Sequence, residues 1–234
     1  MLKTALWLVV LSIPALVALW GLWRAPASRD PRAWVFGTFL LGMIQAWIGG
    51  EVELVLARFM GLGDQLITLG SRTSLIYVFL FSSPLEESLK VAAAWPAFRS
   101  SHFDEEFDGI LYSGAAGLGF ASAEAALTLA SHGTSSMSLI RAFVMMLAQP
   151  LLASFWGYEL GKVRKTKVPT ARFTLVWVVS IVLHGLLEHL VATNTALGVI
   201  SAVSLLAGMG VITMWAGRAL LDRYGARSMR RPRN

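Results

Sequence analysis

Two adjacent glutamates, Glu86 and Glu87, interrupt an apolar stretch at residues 73–98, with Lys90 one helical turn further on. A carboxylate at bilayer depth costs about 2.5–3.5 kcal/mol on insertion scales, so two side by side demand compensation. On a helix Glu86 and Lys90 stand at i,i+4, the favourable order for an ion pair, and Glu87 points about 100° away. Lys90 can neutralise one carboxylate. The other repels it across a low-dielectric site, which suits one of the two to take a proton from water as a general base.

Four more polar side chains fall at comparable depth in the apolar blocks that follow: Glu124, Gln149, His184 and Glu188. Glu124 has no basic residue at i±3 or i±4, so its partner must come from another helix, a water or a metal. His184 and Glu188 stand at i,i+4 on one helical face, where the carboxylate is expected to fix the imidazole tautomer. Glu86, Glu87, Glu124 and His184 could equally bind one zinc ion, since three protein ligands and a water make a catalytic site. Other hydrolytic arrangements are missing. There is no Gly-x-Ser-x-Gly elbow, no His-Glu-x-x-His and no pair of aspartates at depth. Glu51 and Glu53, with Arg58 in reach, are expected to snorkel or pair near an interface.

The elements that must hold these residues follow from composition. Of 234 residues, 56% are hydrophobic and 15% charged, mean hydropathy is +0.62, and apolar blocks long enough to span a bilayer recur along the chain. The fold class is all-α, a polytopic transmembrane bundle with about seven spans, at roughly 4–23, 34–60, 71–98, 109–131, 139–161, 173–192 and 196–220. Residues 1–222 form a single membrane-embedded domain, with a motif-bearing core at about 70–192. A basic cytoplasmic tail, 223–234, is expected to be disordered on anionic headgroups. The absence of cysteine rules out disulfides, thiolate metal sites and cysteine-protease chemistry.

A net charge of +6 could suggest nucleic acid, but the basic residues sit at the ends of apolar blocks rather than in one stripe. Arg24, Arg29 and Arg32, then Lys162 to Arg172, then Arg223 to Arg233 fall on one side of seven spans. The positive-inside rule makes that side cytoplasmic, with the N-terminus outside and the C-terminus inside. The acidic loop at residues 99–108 is discordant, but acidic residues contribute little to orientation. The first block is too long for the core of a signal peptide and is expected to be a retained anchor.

In the fourth block Asp108-Gly109-Ile110-Leu111-Tyr112-Ser113-Gly114 runs on to Gly117-Leu118-Gly119-Phe120-Ala121-Ser122-Ala123-Glu124. Glycines at this density let a neighbouring backbone approach closely. With Glu86-Glu87-Ser88-Leu89-Lys90 before it, and Arg141-Ala142 through Trp156-Gly157-Tyr158 and Leu183-His184-Gly185-Leu186 after it, the chain resembles the PrsW family of intramembrane proteases, relatives of the CAAX-processing membrane endopeptidases. Three positions depart from the family pattern: Gln149 stands where the family has His, Ala125 where Asn follows the glutamate, and Glu188 where Asn follows the last His by four.

The resemblance implies hydrolysis of a peptide bond in or near the transmembrane segment of a membrane protein. Single-span regulatory proteins such as anti-sigma factors are the implied substrates, and no nucleic acid is involved. In residue terms, Glu87 or Glu86 activates a water, Glu124 shares the proton or positions that water, His184 donates to the oxyanion, and Lys90, Gln149 and Glu188 support them. The cofactor is none or a single zinc ion. Gln149 in place of His favours the metal-free form, because an amide is a poor zinc ligand. A catalytically inert relative that binds membrane segments is the alternative, and a proton-coupled carrier a further one. Enzyme chemistry is favoured because the charged residues form one cluster, not a chain from face to face.

Overall fold

The computed structural model describes residues 2–23, 31–61, 72–193 and 195–229. All regular structure among them is helical: α1 (Leu2–Trp23), α2 (Arg32–Phe59), α3 (Arg72–Tyr77), a wide π-helical turn (Val78–Ser82), α4 (Ser83–Arg99), α5 (Phe107–His132), α6 (Ser136–Lys162), α7 (Ala171–Ala192) and α8 (Ala196–Met229). Six of these helices are long and apolar enough to cross a membrane. The third expected span is also helical, over residues 72–99, but it is divided by the π turn and carries Glu86, Glu87 and Lys90. The chain is thus an all-α, multi-pass membrane bundle.

Proline explains the division. Pro84 has no N–H for the carbonyl of Leu80, and its ring crowds that oxygen. The turn just before it widens to the π form, a geometry often found at functional sites.

Helix α5 is the hub, with α1, α2, α4 and α6 packed around it. Its apolar core is 89% buried, against 11% for α1 at the periphery. Small residues make this possible. A Cβ added at Gly119 would overlap the backbone of Phe39 in α2, and one at Gly109 would overlap Gly157 in α6. Gly117 is the closest approach that matters most for the site: a Cβ there would lie 2.8 Å from the carbonyl oxygen of Gln149 and 2.7 Å from Pro150 Cα. The glycine lets α6 bring Gln149 against the face of α5 that carries Glu124. Helix α7 packs on α4, α6 and α8. Trp156, Tyr112, Phe98, Leu111 and Phe39 fill the largest apolar cluster.

One end of the bundle is tied by its connections. Asp108 accepts the backbone N–H groups of Asp104 at 2.8 Å and Glu105 at 2.6 Å. Arg164 donates to the carbonyl of Asp104 at 2.9 Å and pairs with Glu106 at 3.2 Å. Lys167, held at φ 55, reaches the carbonyls of Ser100 at 3.1 Å and Phe103 at 2.6 Å. Its amine lies over the rings of Phe98 and Phe103, and that burial pushes it below the usual lysine range, against the pull of Asp108 and Asp104.

One expectation changes at the C-terminal end. Helix α8 continues to Met229, so the first residues of the basic tail are helical rather than disordered: no proline comes before Pro232, and the single glycine, Gly225, is taken into the helix. Arg24, Arg29, Asp64 and residues 230–234 lie outside the described residues.

Candidate active site

The buried polar residues of α4, α5, α6 and α7 meet in one cluster. Glu87, Lys90, Gln149 and His184 are fully buried, and Glu86 keeps 6% exposure. Lys90 pairs with Glu87 and also donates to Gln149 Oε1. The expected Glu86–Lys90 pair does not form: Lys90 turns to the carboxylate on the i,i+3 side, where the amide of α6 offers it a second acceptor. Its ammonium also lies 5.5 Å from the centre of the Phe120 ring.

Glu87 is saturated. Besides Lys90, its Oε1 contacts His184 Nδ1 at 3.0 Å, and its Oε2 accepts from Trp156 Nε1 at 3.2 Å. Three helices are therefore pinned to one carboxylate. An ionised carboxylate has no proton to give, so Nδ1 is the donor and the ring is fixed with Nε2 facing the other way. That nitrogen is buried without a hydrogen-bond partner and lies 3.5 Å from Glu86 Oε2.

Gln149 is the second hub. Its Nε2 donates to Glu86 Oε2 at 3.0 Å and to Glu124 Oε2 at 2.6 Å. The partner that Glu124 lacks on its own helix is this amide. Ala125, at the family's Asn position, is buried with Leu129 and Ala142 in an apolar cluster.

Glu188 does not orient His184 as expected; Glu87 does. Glu188 turns instead to Arg141 of α6. Glu53 is not paired with Arg58 but accepts from Ser82 Oγ at 2.7 Å beside the π turn. Trp156 and Arg141 had no assigned role from sequence, although both fall near the face of α6 that carries Gln149, seven residues after it and eight before. That spacing is the signal that could have found them.

A zinc site does not fit this arrangement. No group of three or more His, Asp or Glu gathers as a metal site among the described residues. The donor end of the Gln149 amide points at Glu86 and Glu124, where a cation would need lone pairs. Turning the amide would set its N–H groups against the Lys90 ammonium, donor to donor. Only His184 Nε2 is free as an imidazole ligand, and it faces a single carboxylate.

Comparison with known proteins supplies the rest. The profile described as PrsW family intramembrane metalloprotease matches residues 30–216. Protease PrsW of Bacillus subtilis (strain 168) is 36% identical over 165 residues, covering 68% of this chain and 69% of that protein. Protease PrsW of Clostridioides difficile (strain 630) is 28% identical over 188 residues, 76% of each. Protease PrsW of Geobacillus kaustophilus (strain HTA426) is 26% identical over 183 residues, 77% of this chain and 76% of that protein. No solved structure matches the chain. Glutamates and a histidine of α4, α5 and α7 gathered around an amide of α6, in a chain matched over most of its length, have one reading: this is a membrane-embedded peptidase of the PrsW family of intramembrane metalloproteases, acting on a membrane protein.

Proposed function

We propose that Glu86 is the general base of this peptidase and that Glu87 is a positioning residue. The observation that carries this is the contrast between the two neighbours. Glu87 has both oxygens engaged by Lys90, His184 and Trp156, whereas Glu86 spends one oxygen on Gln149 and retains some exposure. A group already holding three donors is poorly placed to accept a fourth proton.

In the proposed reaction a water oxygen bonds to the scissile carbonyl carbon as its proton passes to Glu86. His184, held through Nδ1 by Glu87, donates from Nε2 to the oxyanion when both ring nitrogens carry a proton. The C–N bond then breaks and Glu86 returns the proton to the leaving amine. Gln149 holds Glu86 and Glu124 together through its amide, taking the place of a cation between them. The family description names a metal. The donor set of this chain does not fit one, and no step above uses one.

The substrate is a single-span regulatory protein whose helix unwinds at the site. Residues 1–222 act as one membrane-embedded domain with the motif core at about 70–192, in the cell membrane, with the N-terminus outside and the C-terminus cytoplasmic. Basic residues at 162–172 and in the tail support that orientation. Reporter fusions after residue 221 read it directly, and an extracytoplasmic tail would overturn it.

The test of function is comparative proteomics of membrane fragments from cells with the wild type and with Glu86→Ala. Fragments present only with the wild type identify the substrate. Identical fragment sets in the two strains would sink the Glu86 mechanism.

A further inference from the structure

Five side-chain polar atoms are buried without a hydrogen-bond partner among the described residues, and four of them lie around the site: Ser83 Oγ, His184 Nε2, Glu188 Oε2 and Arg141 Nε. Native proteins leave few such atoms, because each costs about 1–3 kcal/mol. Clustering them at one place points to a polar ligand that the free protein lacks. Ser83 belongs to the same wall as His184: a Cβ at the adjacent Gly185 would sit 3.2 Å from Ser83 Oγ.

Arg141 and Glu188 meet end-on. One terminal nitrogen of the guanidinium engages Oε1, and this leaves Nε–H as a vacant donor beside Oε2 as a vacant acceptor. Glu188 is 6% exposed, so the vacant oxygen is not simply turned to bulk solvent. A donor next to an acceptor matches the edge of one residue in an extended chain, whose N–H and C=O point to the same side. A helical residue points its N–H and C=O in opposite directions and cannot pair with both. The occupant is therefore an unwound peptide backbone.

We infer that the Arg141–Glu188 pair is a substrate-backbone subsite, Nε–H donating to a peptide C=O and Glu188 Oε2 accepting the N–H of the same residue. This rests on the peptidase reading above. It lies toward the end of the bundle formed by the start of α6 and the end of α7. Glu188 is one turn from His184, about 6 Å along α7. At about 3.3 Å per extended residue, the residue held there is about two positions from the scissile bond. Because it reads backbone, the subsite imposes conformation on the substrate and leaves its sequence free.

The probe is a fluorescein-labelled synthetic peptide of alternating Leu and Ala, about 20 residues long to match a bilayer, with a central Gly-Pro pair that lets it unwind. Its Kd is measured by anisotropy in detergent micelles, and fragments are read in parallel by mass spectrometry. Arg141→Lys keeps the ion pair but loses Nε–H, and should weaken binding about ten-fold, the worth of one charge-assisted hydrogen bond. Arg141→Gln with Glu188→Gln should weaken it at least as much. On the wild type, N-methylation scanned across the central residues of the peptide should produce the same loss at one position. Melting temperatures report whether each variant is folded. An unchanged Kd in a folded Arg141→Lys protein, an unchanged Kd at every scanned position, or no binding to the wild type would each overturn the subsite. Binding that depends on the pair without any cleavage keeps the subsite and sinks the peptidase reading, whereas cleavage with an unchanged Kd does the reverse.

Discussion

The two ends of this bundle treat polar groups in opposite ways. At the end joined by residues 100–106 and 163–170, Asp108, Arg164 and Lys167 each meet at least two backbone or side-chain partners. Toward the other end, from Glu86 to Arg141, the polar side chains are buried or half-buried, and several of their buried atoms stand vacant. Satisfied groups tie loops and need nothing further. Vacant buried groups are costly and call for an explanation; among the described residues four of the five lie around the site and the fifth, Trp177 Nε1, near the start of α7, so the weight of vacancy marks the working site without reference to any relative.

The largest effect that would test this contrast is at Glu86. Glu86→Gln keeps the shape and the Gln149 contact, and should lower cleavage by about 10³-fold, within the range for a general base, at an unchanged melting temperature. Wild-type turnover would move the base elsewhere in the cluster. Glu87→Ala should behave differently. It leaves Lys90 buried without a counter-ion, so it should cost about 3–5 kcal/mol of stability in a denaturation series; a fully stable but inactive Glu87→Ala protein would make Glu87, not Glu86, the reacting carboxylate.

Gln149→His sharpens the same contrast by removing the amide donor that faces two carboxylates. The wild type should purify with well under one zinc per chain, and the variant should approach one, because imidazole is a far better zinc ligand than an amide. Metal analysis beside chelator sensitivity reads both, and stoichiometric zinc in the wild type would refute the metal-free reaction. The smallest effect belongs to the tied end. Arg164→Ala should cost about 1–2 kcal/mol, the worth of a half-buried ion pair with a backbone hydrogen bond, and leave cleavage unaltered. A loss as large as that of Glu87→Ala would erase the distinction between the two ends.

Much of this was legible in the sequence, and the rest for a definite reason was not. Apolar blocks fix the helices, and the run Gly109 to Gly119 marks the helix that others crowd. The cluster of Glu86, Glu87, Lys90, Glu124, Gln149 and His184 was readable as residues at one depth on consecutive helices. Their pairing was not. Lys90 chooses Glu87 over Glu86 because of where Gln149 sits, and His184 takes Glu87 while Glu188 is held by Arg141 of α6. Helical spacing ranks partners within one helix, whereas these choices are made between helices. The continuation of α8 past residue 220 was missed for a different reason, since charge density suggested a solvated tail where no proline precedes Pro232 and Gly225 is taken into the helix.

The wide turn at Val78–Ser82 carries a consequence for how the chain tolerates length changes. A π turn is an α-helix with one residue added, so it behaves as an insertion already absorbed into the rod. Deleting Leu80 would let the helix close to regular α geometry with the residues on either side kept in phase, because the wide turn already takes up the extra residue. Tyr77, which donates to the Glu53 carbonyl at 3.2 Å, would keep its place against α2, and Glu86 and Glu87 would keep theirs, held by α6 and α7. A single-residue deletion here would therefore spare both the Tyr77 contact with α2 and the carboxylates, whereas the same deletion just after Pro84, in regular α-helix, would turn the two sides by about 100° and swing both glutamates away from Gln149 and His184.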